Sequence, residues 1–179
     1  MTEHLRKLSP GRIVVLGFAF VILTGSLILW LPISTNEGVD VSYIDALFTS
    51  TSAVCVTGLI AVDTADTFNV FGRTVVALLI QVGGLGVTCV GVGVILLAGK
   101  KIGIHGRVLI RDSMNLTTVK GVVRLVEAIL FMTLLFEGAG ALLSFLVFSK
   151  DYPPLDALGI SVFHSVAAFN NSGLTFWAG

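Results

Sequence analysis

Residues 13–31 carry no charged side chain over 19 positions, long enough for a helix to cross roughly 30 Å of hydrocarbon. Residues 74–98 form a second uncharged run of 25, and Leu125 to Phe148 a third, interrupted only by Glu127 and Glu137. Lipid offers no water to satisfy backbone N–H and C=O groups, so runs of this kind have to be helical. A mean hydropathy of +0.97, with 55% hydrophobic and 12% charged residues, takes the chain out of the soluble range. Trp30 stands where an interfacial aromatic belongs, and Pro32 stops the first helix. The first run exceeds the apolar core of a signal peptide and lacks a small-residue cleavage site. The expected fold class is therefore an all-α membrane protein with three spanning helices.

The charges orient these spans. Arg6, Lys7 and Arg12 precede the first run, and Lys100, Lys101, Arg107, Arg111, Lys120 and Arg124 separate the second from the third, opposed only by Asp112. Residues 34–72 have no Lys or Arg but contain Glu37, Asp40, Asp45, Asp63 and Asp66. The positive-inside bias puts the N-terminus and the 99–124 loop in the cytoplasm of a cell-membrane protein. The acidic segment then lies outside, where it would concentrate cations. Topology accounts for the basic loop, so no nucleic-acid partner is expected. Asn115-Leu116-Thr117 falls in that loop and reads as a chance glycosylation match. Cys55 and Cys89 fit neither a disulfide framework nor a zinc site, and read as membrane-buried free thiols.

A semi-polar motif occurs twice among the apolar runs. Phe48 to Leu59 and Phe163 to Leu174 lie 115 residues apart and share five of twelve residues, including the closing Gly-Leu. Asp-Ala-Leu precedes each copy, with four additional residues in the second. Tyr43 to Ala53 would span roughly 16 Å as a helix, half a membrane, after which the chain has to turn back outward. The segment reads as a helix dipping in and an extended strand, Val54 to Gly58, coming back. Such backbone at depth is tolerated only when buried in protein or lining a water-filled cavity. The helix C-terminus directs its negative dipole end at the axis, and main-chain carbonyls can replace an ion's hydration shell. Gly58 permits backbone angles closed to other residues, while Ser50, Thr51, Ser52 and Thr57 can satisfy freed backbone groups. The same offset carries residues 13–31 into the third apolar run, so span, dipping helix, filter and span form one repeated unit. The expected organisation is a cytoplasmic N-terminus at 1–12, a first unit at 13–98, a cytoplasmic loop at 99–124, and an incomplete second unit at 125–179. Two re-entrant pore helices thus accompany the three spans.

Ser52 to Leu59 and Ala168 to Leu174 resemble the Trk/Ktr/HKT superfamily of potassium transporters, whose filters carry one glycine per repeat. Thr-Val-Gly-Tyr-Gly, the motif of ordinary potassium channels, is absent. Val82-Gly83-Gly84-Leu85-Gly86 and Gly99-Lys100-Lys101-Ile102-Gly103 look like the bacterial Ktr membrane subunit, and the resemblance covers nearly the whole chain. It implies a backbone filter for a monovalent cation at Val54, Cys55, Val56, Thr57 and Gly58, and at Asn170, Asn171, Ser172 and Gly173. The ion it implies is potassium, with sodium as a coupling or activating ion in a symporter. It also implies a homodimer docked on a cytoplasmic nucleotide-binding regulatory ring, and four repeats per chain. On that plan the chain is expected to be an N-terminal fragment that does not enclose a pore alone. The expected function is potassium uptake; the alternative is a non-conducting structural or anchoring subunit. HExxH, GxSxG, Walker and dinucleotide fingerprints are all missing, so an enzyme is not expected.

Further residues carry two readings each. Glu137, near the middle of the third run, reads as a hydrogen-bonding anchor to a neighbouring helix, or else as an ion relay. Glu127 reads as an interfacial pair with Arg124. Gly83, Gly84, Gly86, Gly91 and Gly93 read as close helix packing, with a gating hinge as the alternative. Gln81 could face the pore. His164, at the position of Thr49, reads as a hydrogen-bonded pore-helix histidine, or as a titrating group that tunes conduction.

Overall fold

The computed structural model describes residues 10–99 and 102–174; Arg6, Lys7, Lys100, Lys101 and residues 175–179 lie outside the described residues. Helix α1, Pro10–Trp30, ends just before Pro32, which opens a single 3-10 turn, Pro32–Ser34. Proline there cannot donate to the preceding turn. The freed carbonyls are taken up by Ser34, whose Oγ donates to the Ile28 carbonyl at 2.6 Å and whose N–H donates to Leu31 at 2.9 Å. Helix α2, Tyr43–Cys55, starts at Ser42, whose hydroxyl accepts from the Asp45 N–H. Helix α3, Thr64–Thr67, and helix α4, Val70–Leu85, are capped by the side chains of Asp63 and Asn69. Helices α5, Val87–Leu97, α6, Ile104–Ser113, α7, Val122–Phe148, and α8, Pro154–Phe169, complete the described chain.

Helices α1 and α7 are each long and apolar enough to cross a membrane, and α4 with α5 would make a third span if the bent pair is one span. The second apolar run is thus not the continuous helix its hydropathy suggested: it bends by 106° between Leu85 and Val87. Gly86 lies there at φ +82°, in the left-handed region open to glycine, and its N–H closes α4 on the Gly83 carbonyl at 3.2 Å. The glycines therefore do different things at different positions: close packing holds for some of them, and Gly86 makes a fixed bend. Gly86 makes the break, whereas Gly83 and Gly84 allow contact: a Cβ on either would collide with the Val54 carbonyl and the Asn170 side chain respectively. A Cβ on Gly91 would meet nothing within 4 Å among the described residues.

One core joins α1, α2, α4 and α8 through Leu29, Ala53, Val54, Val76, Ile80 and Phe163. A second, around Cys89, Ile110 and Val126, joins α5, α6 and the start of α7. The segments flanking α3 are knitted to the turn after α1: Asn69 Nδ2 donates to the carbonyls of Ile33 and Thr35, and Asn36 Nδ2 to that of Asp66. Leu16, Phe20, Leu23 and Leu27 of α1 and Leu134, Leu135, Leu142 and Leu146 of α7 stay exposed, the surface a membrane protein offers to lipid or to further protein. One expectation is corrected. Glu127 and Arg124 are exposed and unpaired with each other, because the ion pair found among the described residues is Arg111 with Asp112. Of the two thiols expected to be membrane-buried, Cys89 is buried within the protein, and Cys55 lies on the surface of the described residues at the end of α2.

Candidate ion-binding site

Helix α2 ends in a Schellman motif. The Val56 N–H donates to the Ala53 carbonyl at 3.3 Å and the Thr57 N–H to the Ser52 carbonyl at 3.0 Å, with Val56 left-handed at φ +54°. Helix α8 ends in the same way 115 residues later: Asn171 donates to Ala168 at 3.1 Å, Ser172 to Ala167 at 2.9 Å, and Asn171 has φ +54°. The glycines that follow match as well, Gly58 at φ +70° and Gly173 at +69°. In each copy a serine hydroxyl of the short helix is bonded to the preceding long helix. Ser50 Oγ donates to the Ile22 carbonyl at 2.8 Å, and Ser165 Oγ to the Glu137 carbonyl at 2.6 Å. Gly25 and Gly140 make room for these bonds, since a Cβ on them would stand 2.7 and 2.5 Å from the two hydroxyls. All of these pairs obey the same offset. The motif reading missed the Gly–Ser pairing, although Gly25 with Gly140 and Ser50 with Ser165 are identities at that spacing.

The two copies then meet. A Cβ on Gly58 would lie 2.9 Å from the Ser172 carbonyl oxygen and 3.1 Å from the Gly173 Cα, and a Cβ on Gly173 would lie 3.1 Å from the Gly58 Cα. Only glycine permits this approach of main chain to main chain. Two helix C-termini therefore converge, each worth about half a negative charge. Residues 48–62 and 159–174 contain no Lys or Arg to offset them. Among the described residues, no donor reaches the carbonyls of Thr57, Gly58 or Ser172. No group of three His, Cys, Asp or Glu that could hold a metal ion occurs among them. Negative potential and free carbonyls at one place suit a cation.

The residues picked from the sequence do not all fall here. Val54 and Cys55 belong to the last turn of α2 rather than to an extended strand. Val54 is buried with its carbonyl against Gly83 of α4, so the segment that leaves the helix begins at Val56. Its hydroxyl scaffold matches expectation: Ser52 Oγ donates to the Leu59 carbonyl at 2.7 Å and Thr57 Oγ1 to Ser52 Oγ at 3.1 Å. In the second copy, Asn170 caps α8 and its side chain is engaged, donating to Gln81 Oε1 at 2.9 Å, the Val166 carbonyl at 2.9 Å and Glu137 Oε1 at 3.4 Å. Gln81 Nε2 completes the cluster by donating to Glu137 Oε2 at 3.2 Å. Glu137 is thus a hydrogen-bonded anchor, and Gln81 turns toward it. Ser172 is fully buried, with its hydroxyl accepting from the Leu174 N–H. The His164 ring packs on Phe148 at 5.4 Å and edge-on to Phe163 at 6.3 Å.

Residues 11–178 match the family model of TrkH, described as a cation transport protein. The chain is 40% identical over 171 residues to the Ktr system potassium uptake protein B of Bacillus subtilis, covering 96% of this chain and 38% of the relative. It is 36% identical to the potassium/sodium uptake protein NtpJ of Enterococcus hirae, over 97% of this chain and 39% of the relative. Identity to the Ktr system potassium uptake protein D of Bacillus subtilis is also 36%, over 94% and 38%. The chain thus spans under two-fifths of the length of these curated relatives. All are transporters and none is an enzyme by name. With nearly every described residue inside the match, the chain belongs to the TrkH family of cation transport proteins.

Proposed function

We propose that this chain supplies two walls of a potassium-selective filter in an uptake system of the cell membrane. The observation that carries the reading is the backbone contact of Gly58 with Gly173 at the meeting point of two helix C-termini. Helices α2 and α8 are then pore helices, and Val56 to Gly58 with Asn171 to Gly173 the main chain facing the ion. The relatives named for potassium uptake support the choice of ion, and the one named for potassium and sodium supports sodium as a second ion. The remaining walls come from further segments, since relatives are more than twice as long. The N-terminus faces the cytoplasm, and the family resemblance adds a homodimer and a cytoplasmic nucleotide-binding ring. Replacing Gly58 by Ser in the intact transporter and measuring potassium against sodium uptake in proteoliposomes tests this. Discrimination between the two ions should fall by about tenfold or more, as one perturbed carbonyl ring costs on the order of 1.4 kcal/mol. Undiminished discrimination would favour the non-conducting, anchoring reading instead.

A further inference from the structure

The two filter segments repeat the same backbone, but different bonds hold them. In the first copy the segment is braced from behind its turn, by Ser52 to the Leu59 carbonyl and by Thr57 to Ser52. The second copy has Ala167 at the position of Ser52, so that brace is missing. A latch on the other side of the turn takes its place. Asn170, immediately before the left-handed Asn171, is held by α4 through Gln81, by α7 through Glu137 and by its own helix through Val166. Its amide oxygen lies close against Gly84, which closes the fourth side. The first copy has Ile22 and Cys55 at the positions of Glu137 and Asn170, and neither can form such a latch.

We infer that Glu137 is a positioning residue for the second filter segment: with Gln81 it holds the Asn170 side chain and thereby sets the main chain of Asn171 to Gly173. The inference rests on the filter reading and deepens it. A carboxylate suits the task because it accepts only, and both of its side-chain partners point N–H groups at it. Burial in a low-dielectric environment strengthens these bonds and makes their loss costly, so the latch is stiff. Its backbone carbonyl separately accepts from Ser165, a bond that changing the side chain leaves intact. Packing of α8 on α7 and orientation of the filter can therefore be separated by mutation.

The test compares Glu137→Leu, Glu137→Gln and Gly58→Ser in the intact transporter, reading the KM and maximal rate of rubidium uptake and the potassium-to-sodium ratio. Glu137→Leu should raise KM or lower the ratio by roughly tenfold in the folded fraction, the scale on which supporting residues tune ion ligands. Glu137→Gln keeps one acceptor and should stay within about threefold of the parent. Asn170→Leu should add little to Glu137→Leu, since the two act through one latch. If Glu137→Leu does not fold, Gln81→Leu takes its place, because it removes the same latch from α4. Unchanged KM and ratio in both Leu variants, or fully additive effects with Asn170→Leu, would overturn the positioning role. Should Gly58→Ser also leave the ratio untouched, the filter reading itself is what fails.

Discussion

At position 56 a β-branched residue occupies left-handed space, where its Cβ crowds the carbonyl that follows; Val56 sits at φ +54° all the same. The two Schellman hydrogen bonds impose that conformation from both sides. The equivalent Asn171 tolerates the same angle far better, because asparagine is among the few residues that visit this region. Exchanging the two chemistries should therefore act in opposite directions. Asn171→Val should destabilise by about 1–2 kcal/mol, and Val56→Asn should recover a similar amount. Thermal unfolding in detergent reads both, and equal midpoints for the two variants would mean that neither site is strained. Strain of this kind at a functional loop is common, since a defined backbone is worth more there than local comfort. The sequence carried the glycines of the motif plainly, because Gly58 and Gly173 are identities. It hid the residues two positions earlier, because valine and asparagine share no property that marks them as equivalent.

Between elements, glycines decide how close the helices come. Gly83 brings α4 onto the carbonyl of Val54 in α2, and a methyl group there would have to displace main chain rather than a flexible side chain. Overpacking of that sort costs about 1–3 kcal/mol, more than the roughly 1 kcal/mol that alanine gains over glycine in a helix. Gly83→Ala should therefore destabilise. Gly91→Ala, in open space within α5, should stabilise by up to about 1 kcal/mol, because only the helix-propensity gain remains. The same thermal measurement separates them by sign. Long helices α1 and α7 could be read from apolar runs with few or no charges, since runs of that length leave little other solution in lipid. The break at Gly86 could not. Hydropathy is blind to direction, and five glycines within eleven residues look alike until φ distinguishes the hinge from the contacts. The Gln81, Glu137 and Asn170 cluster escaped for a related reason. Its members come from three elements and meet only because α4 and α7 both pack at the end of α8.

Across the whole molecule, depth follows from helix length. Helix α2 has 13 residues, so its C-terminal end at Cys55 lies about 20 Å from its start, short of the roughly 30 Å of a hydrocarbon core. The acidic residues Glu37, Asp40, Asp63 and Asp66 flank the entrance to that descent, and the basic residues Arg107, Arg111, Lys120 and Arg124 lie beyond α5. A cation filter benefits if the acidic end is the side from which ions enter, because the local potential raises their concentration within a Debye length of about 8 Å. On the proposed orientation, with the basic segments in the cytoplasm, that end is extracellular. Single cysteines in the intact transporter, with Cys55 and Cys89 replaced by Ser, place each end directly. Glu37→Cys should react with a membrane-impermeant maleimide on intact cells, whereas Thr117→Cys, on the basic segment between α6 and α7, should react only after permeabilisation. The opposite pattern would invert the topology. Helices α2 and α8 would then descend from the cytoplasm, and their converging negative ends would face cations that have already crossed.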